Sequence, residues 1–103
     1  MLNQEIEEIF QFLAGNWYSR PENDLEIVEE VVENISPDKL HQQIELIRYY
    51  LSSSESPVDK DTFIRKSVQR YIPEGLNASI DWLNGIIHFL EQSLERKRES
   101  SSL

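Results

Sequence analysis

The chain has no cysteine, only three glycines and no long apolar run. Without cysteine it forms neither disulfides nor thiolate metal sites, so packing alone has to hold the fold. The three glycines are isolated from one another, which excludes a glycine-rich phosphate-binding loop. No apolar stretch approaches the roughly 18 residues of a membrane span, and the first residues carry glutamates instead of the bases of a signal peptide. We therefore expect a cytoplasmic protein that does not enter a membrane.

The length of 103 residues suits a single domain. Hydrophobic residues make up 39% and charged residues 28% of the chain, a balance typical of globular rather than disordered proteins. Residues 99–103 are rich in serine and follow the last apolar position of the preceding segment. We expect them to form a disordered tail behind one domain of residues 1–98.

Apolar residues recur at spacings of three and four over most of the chain, which is the pattern of amphipathic helices. The pattern predicts an all-α compact bundle of about five helices, with the long C-terminal helix as its central post. A sustained heptad also pairs with a second copy in many proteins, so both a monomer and a homodimer are open. The predicted helices span residues 3–14, 25–35, 37–51, 59–72 and 76–97.

Start and stop signals stand near the predicted helix ends. The segment Ser36–Asp38 starts the third helix with a capping hydroxyl, a proline for the first turn and an acid for the positive end of the dipole. Gly15 is predicted to cap the end of the first helix, and Asp24 the start of the second. Asp59 and Asp61 are predicted to cap the fourth. The second segment is rich in β-branched residues, so a strand is the rival prediction, but the valine spacing favours a helix.

No group of residues assembles a catalytic or metal site. His41 lies four residues before Glu45, so both can share a helix face, but two ligands are only half of a metal site. His88 stands between Ile87 and Phe89, where a packed or boundary histidine is the simpler interpretation. Paired carboxylates fall on polar helix faces, without the desolvating pocket of a catalytic acid. We predict that the chain is not an enzyme and holds neither metal nor cofactor.

Charge is distributed unevenly along the chain, whose net charge is −9. Residues 1–34 contain nine acidic residues and one basic residue, Arg20, and so carry a charge of −8. Residues 35–103 contain ten acidic and nine basic residues, which leaves −1. Such a field repels nucleic acid and attracts a basic partner, although acidity that only keeps the chain in solution is the alternative.

The densest group of acids lies on the second helix. Glu26, Glu30 and Glu33 repeat at spacings of four and three and form one acidic ridge, although like charges at this spacing cost about 0.2–0.5 kcal/mol per pair. The neighbouring Trp17 and Tyr18 have the composition of an interface hot spot, with closure of the bundle end as the alternative for Trp17. The predicted partner-binding surface comprises Trp17, Tyr18, Glu22, Asp24, Glu26, Glu29, Glu30 and Glu33.

A basic cluster occupies the fourth helix and comprises Lys60, Arg65, Lys66 and Arg70. The surrounding negative field opposes its use on phosphate. We expect it to pair with the acidic helices inside the molecule, or to form one side of a dimer contact.

A chain of about a hundred residues that is acidic, cysteine-free and helical, with its charge on one face, resembles bacterial immunity and antitoxin proteins. The similar proteins are the helical immunity proteins of colicin type and of contact-dependent growth inhibition systems. The resemblance covers the general build of residues 1–98 and includes no diagnostic motif. It implies a protein that binds a secreted toxin, commonly a nuclease, and blocks its basic substrate groove. On this resemblance, Glu26, Glu29, Glu30 and Glu33 would occupy the place of nucleic-acid phosphates.

The sequence therefore predicts a protein-binding protein that neutralises a basic toxin and does not itself contact nucleic acid. A cytoplasmic adaptor or regulatory subunit is one alternative. A nucleic-acid mimic that inhibits a host DNA-binding protein is another, and an enzyme is the last.

Overall fold

The computed structural model describes residues 3–69, 72–75 and 77–101, with side chains as far as residue 99. Over these ranges the backbone forms five helices and no strand, which confirms the predicted all-α class and excludes a strand at residues 25–35. The molecule measures 45 × 30 × 19 Å along its principal axes. The helices are α1 (Asn3–Trp17), α2 (Asp24–Asn34), α3 (Pro37–Leu51), α4 (Pro57–Val68) and α5 (Ala78–Ser101).

The long helix α5 is the central post of the bundle, as predicted. It packs against α2, α3 and α4, while α1 closes the bundle against α2, α3 and α4. Leu83 and Leu90 on α5 are completely buried, and Ile86, Ile87 and Leu94 are nearly so. A helix with neighbours on several sides needs this broad apolar face, which is wider than the seam of a two-stranded coiled coil.

Helix α1 continues beyond its predicted end. Gly15 lies inside the helix with an exposed backbone, so the prediction that it caps the C-terminus is wrong. The last turn persists because Trp17 is completely buried. Its ring centre lies 6.1 Å from that of Phe12 and 6.1 Å from that of Trp82, where the two indoles meet edge to face. Burial of one large aromatic side chain outweighs the preference of glycine for a helix end.

The caps of α2 and α4 come from residues before the predicted aspartates. The Asn23 side chain accepts a hydrogen bond from the Glu26 N–H at 3.0 Å, and the Ser56 hydroxyl accepts one from the Asp59 N–H at 3.1 Å. The predictions that Asp24, Asp59 and Asp61 cap these helices are therefore wrong. Asparagine and serine are as good at this position as aspartate, so sequence preference alone did not decide between neighbours.

Helix α3 has the predicted bounds. The Ser36 side chain accepts a hydrogen bond from the Lys39 N–H at 3.4 Å, which confirms Ser36 as its cap. Near its other end, Tyr50 is 2% exposed and Tyr49 is 60% exposed. Of these two adjacent tyrosines, Tyr50 belongs to the core and Tyr49 to the surface.

Lys60 and Arg65 of α4 bind groups other than the acids of α1 and α2, so for these two residues the expected pairing with the acidic helices is wrong. Lys60 is 8% exposed, and its ammonium donates to the carbonyls of Leu51 and Ser53, at 2.9 Å each. It thereby satisfies carbonyl groups at the end of α3. Arg70 lies outside the described residues.

Arg65 ties the end of α4 to the segment that leads into α5. Its guanidinium donates to the carbonyls of Ile72 and Pro73, at 2.8 Å each, and to the Asp61 carboxylate at 2.9 Å. Asp61 also accepts a hydrogen bond from the Ser79 hydroxyl on α5. Both bonds stabilise the charged carboxylate, Ser79 more than Arg65, and they hold the pKa of Asp61 below its usual value.

Helix α5 is displaced towards the C-terminus relative to the prediction. It begins at Ala78 and runs to Ser101, four residues beyond the predicted end. The predicted starting residue, Leu76, lies outside the described residues, as do residues 102–103 of the predicted tail. Glutamate, arginine and lysine at 95–99 are good helix formers, and they carry the helix past its last apolar position.

Candidate protein-binding surface

The acidic ridge of Glu26, Glu30 and Glu33 lies on the exposed face of α2, together with Glu29. The opposite face of the helix buries Ile27, Val28, Val31 and Val32. Valine and isoleucine therefore hold the helix to the bundle, while the carboxylates face solvent. The ridge predicted from the sequence is one continuous surface in the fold.

Arg20 bridges the acidic ridge to the loop before α2. Its guanidinium donates to the Glu30 carboxylate at 2.8 Å and to the Glu22 carboxylate at 3.2 Å. A third, longer bond of 3.4 Å reaches the Asn16 carbonyl at the end of α1. The hydrogen bonds that Arg20 donates to Glu30 and then to Glu22 raise its pKa above its already high value, so it is charged at every pH of interest. Arg20 neutralises part of the ridge and fixes the loop beside it.

The other flank of α2 faces basic residues of α5. A surface cleft of about 500 Å³ is lined by Glu29 and Glu33 on one side and by Arg96 and Lys97 on the other. The Lys97 ammonium donates to the Val32 carbonyl at 2.7 Å. These bases are 60 residues or more away along the chain, so the sequence pattern of α2 could not reveal them. The charge segregation of the sequence is thus reduced, although not cancelled, in the folded molecule.

Asp24 serves as a link between helices. Its carboxylate accepts a hydrogen bond from the Trp82 indole N–H at 2.9 Å, which ties the start of α2 to α5. Asp24 is only partly exposed. Its hydrogen bond to α5 gives it a structural role in the bundle.

The two neighbouring aromatic residues separate into core and surface. Trp17 is completely buried, so its assignment to the predicted binding surface is wrong. Tyr18 is 56% exposed. The next residue, Ser19, has a left-handed backbone with φ of 52°, and its N–H donates to the Val68 carbonyl at 2.9 Å. These contacts with the end of α4 hold the loop in one conformation, so Tyr18 is presented on a fixed backbone.

Leu25 is an exposed apolar residue that the sequence did not single out. It is 54% exposed, at the start of α2 and one turn before Glu29. Helical spacing gave no signal of this exposure, because Leu25 lies three residues before Val28 and seven before Val32, both of which are buried. An aliphatic side chain beside the carboxylates adds an apolar contact to a surface that is otherwise polar.

The two histidines lie apart on exposed positions of α3 and α5. Within the described ranges, no three histidine, aspartate or glutamate side chains come together as metal ligands. Over the same ranges, no helix is both long enough and apolar enough to cross a membrane.

Comparisons of the chain with protein-family models, with curated proteins and with solved structures find no match. The similarity to bacterial immunity proteins therefore stays a prediction from the general build of the chain.

Proposed function

We propose that the chain is a protein-binding inhibitor of the immunity or antitoxin type, which covers a basic surface of a toxin with the acidic ridge of α2. The observation that carries the proposal is the exposure of the α2 carboxylates together with that of Leu25 at the start of the same helix. Tyr18 is exposed on the loop before α2, which Arg20 and Ser19 fasten to Glu30 and to the end of α4. Acidic side chains steer a basic partner, and rigid apolar side chains hold it.

The remaining charge still favours a basic partner after the folded neighbours are included. The carboxylates of Glu22, Glu29, Glu30 and Glu33 face the three cations Arg20, Arg96 and Lys97, and Asp24 and Glu26 add two further acids. The excess is negative, and the ridge is accessible over its whole length. A groove that is basic because it binds nucleic-acid phosphate would be attracted by the same negative field.

The test is affinity capture from the native source at low and high salt. The bait is the wild-type chain or the triple variant Glu26→Lys, Glu30→Lys, Glu33→Lys. A matched control, Glu55→Lys, Glu74→Lys, Glu95→Lys, has the same net charge but changes exposed positions elsewhere. We expect the wild type and the control to retain a basic protein that the ridge variant loses and that high salt releases.

The captured protein is then expressed with and without this chain. An immunity protein rescues growth of the host, or blocks the nuclease activity of the captured protein in vitro. If the ridge variant captures the same protein in equal yield, the acidic ridge is only a solvated surface. If the captured protein is a host DNA-binding protein whose binding is blocked, the nucleic-acid mimic is the better description.

A further inference from the structure

The loop between α1 and α2, residues 18–23, is fastened by bonds that do not depend on its charged side chains. The Ser19 N–H donates to the Val68 carbonyl at 2.9 Å, and the Arg20 N–H donates to the Trp17 carbonyl at 3.2 Å. Both bonds come from the backbone of the loop. The loop therefore keeps its path when the side chain of Arg20 is changed.

Two side chains of this loop hold carboxylates of the acidic ridge. The Arg20 guanidinium donates to Glu30 at 2.8 Å, and the Asn23 side-chain amide donates to Glu26 at 3.2 Å. Arg20 also donates to Glu22, a neighbour in the loop, at 3.2 Å. Two of the three ridge glutamates are therefore oriented by the loop that precedes their helix.

The carboxylates that Arg20 holds remain open to a partner. The side chain of Glu30 is 51% exposed and that of Glu22 is 39% exposed, whereas that of Arg20 is 27% exposed. An ionised carboxylate has about four acceptor sites, so the bond from Arg20 leaves Glu30 able to accept another from a partner. Arg20 orients the carboxylates without covering them.

Arg20 has two opposite effects on the binding of a basic partner. Its charge repels the partner's cations, which for an exposed pair changes affinity by a factor of about 2–5. A freely rotating glutamate, however, loses its rotamer freedom when it pairs with a partner, which weakens affinity by a factor of about 2–10 for each side chain. Arg20 removes part of that loss for two glutamates at once, so its orienting effect is the larger.

We propose that Arg20, the only base among residues 1–34, is a positioning residue that strengthens the binding of a basic partner to this acidic surface. It holds Glu30 and Glu22 in place for the partner's cations. This inference rests on the proposed function. It gives a binding role to the one residue of this region whose charge opposes that function.

The first test separates charge from orientation. The probe is the protein that the wild-type chain captures, and its association and dissociation rates are measured at about 0.15 M salt. Arg20→Gln is compared with Lys66→Gln, a matched control that removes an exposed base of α4 and changes the net charge equally. We expect both variants to associate as fast as the wild type or slightly faster. Only Arg20→Gln should dissociate faster, by about three- to tenfold.

The conservative variant Arg20→Lys keeps the charge and loses the planar fork that binds two carboxylates together. We expect it to associate like the wild type and to dissociate faster. If Arg20→Gln dissociates like Lys66→Gln, or Arg20→Lys dissociates like the wild type, the charge of Arg20 is all that matters and the proposal is wrong.

A double-mutant cycle identifies the group through which Arg20 acts. In a chain that already carries Glu30→Gln, the effect of Arg20→Gln on the dissociation rate should be smaller than in the wild type, because one of the two carboxylates that it orients is gone. An equal effect in both chains would show that Arg20 does not act through Glu30.

A measurement without the partner tests the same contact. Carbon-13 relaxation reports the mobility of the Glu30 side chain, which should rise in Arg20→Gln and Arg20→Lys but not in Lys66→Gln. The Ser19 N–H should stay protected from hydrogen exchange in all three variants, because its bond to Val68 remains. Unchanged mobility of Glu30, or loss of protection at Ser19, would overturn the positioning role.

These outcomes are separable from the test of the acidic ridge. If the ridge variant loses the captured protein but Arg20→Gln behaves like Lys66→Gln, only the positioning role fails. If no basic protein is captured, or the ridge variant captures it in equal yield, the proposed function fails and this inference fails with it.

Discussion

The acids of α2 and the bases of α4 are both charged groups on amphipathic helices, but the fold uses them in opposite ways. On α2 the carboxylates remain on an exposed face, where Arg20 binds Glu30 and also Glu22 of the preceding loop. On α4, Lys60 turns its charge to carbonyls at the end of α3, and Arg65 turns its charge to carbonyls of the segment between α4 and α5. The comparison shows that charged side chains clustered in a sequence stay available on the surface only when no unpaired backbone carbonyl or N–H group lies within their reach. Long basic side chains reach such carbonyls more readily than glutamates reach orphan N–H groups.

The largest expected effect concerns α5, the helix against which both α2 and α4 pack. Leu83→Ala removes a completely buried side chain from α5 and should lower the free energy of unfolding by about 2–5 kcal/mol, because a cavity remains. Leu25→Ala, at a 54% exposed position of α2, should change it by less than about 0.5 kcal/mol. Urea denaturation followed by circular dichroism measures both. Equal losses would show that Leu25 is packed and not available to a partner.

The next effect tests whether a base of α4 is structural. Lys60→Met keeps the aliphatic stem but leaves the carbonyls of Leu51 and Ser53 without their donor, so a loss of about 1–3 kcal/mol is expected. The exposed neighbour Lys66→Met is the matched control and should change stability by less than about 0.5 kcal/mol. If Lys60→Met leaves the free energy of unfolding unchanged, the two carbonyls do not need this lysine, and its charge is as dispensable for the fold as those of the α2 acids.

A smaller effect appears on acidification. Since the folded pKa of Asp61 lies below its unfolded value, Asp61 contributes stability above the unfolded pKa, which is about 3.9. This contribution is lost as pH falls through the folded pKa, where the bonds from Ser79 and Arg65 disappear. Melting temperatures measured from pH 6 down to pH 2 should fall less steeply for Asp61→Asn, whose melting temperature is already lower at pH 6. Parallel curves for both proteins would exclude this role of Asp61.

The smallest effect is expected on the acidic ridge. Glu33→Gln removes like-charge repulsion with Glu29 and Glu30 and also the attraction of Arg96 and Lys97 across the cleft, so it should change the free energy of unfolding by less than about 0.5 kcal/mol. Arg20→Gln should lower the melting temperature, because Glu30 and Glu22 lose their shared cation. Added salt should reduce both differences. A clear loss of stability for Glu33→Gln would mean that the ridge holds the fold together.

Much of the fold was predictable because it depends on periodicity. The five helices, the bounds of α3 and the central place of α5 follow from apolar spacing and from the Ser36 cap. Helix ends were less predictable. Asn23 and Asp24 are equally good caps in sequence; in the fold Asn23 caps α2, and the Asp24 carboxylate accepts a bond from Trp82.

The candidate surface was predictable in its charge and not in its composition. Four glutamates at helical spacing had to lie opposite the valines of α2, so their exposure followed from the pattern. Adjacent aromatic residues carry no such information. Trp17 is buried because it completes the last turn of α1 against Trp82, whereas Tyr18 is exposed because it begins the loop. The cleft between α2 and α5 exists only where the two helices meet, so no single segment of the sequence predicts it.

The sequence by itself determined the helical class, the absence of disulfides and the negative charge of the first third, since these depend on composition and on contacts between near neighbours. The tertiary structure decided which charges remain available. It brought Arg96 and Lys97 to one flank of α2, turned Lys60 and Arg65 to carbonyl groups, and buried Trp17. The physical reason is that burial and pairing depend on residues brought together from distant parts of the chain, whereas helix formation depends on residues three and four apart.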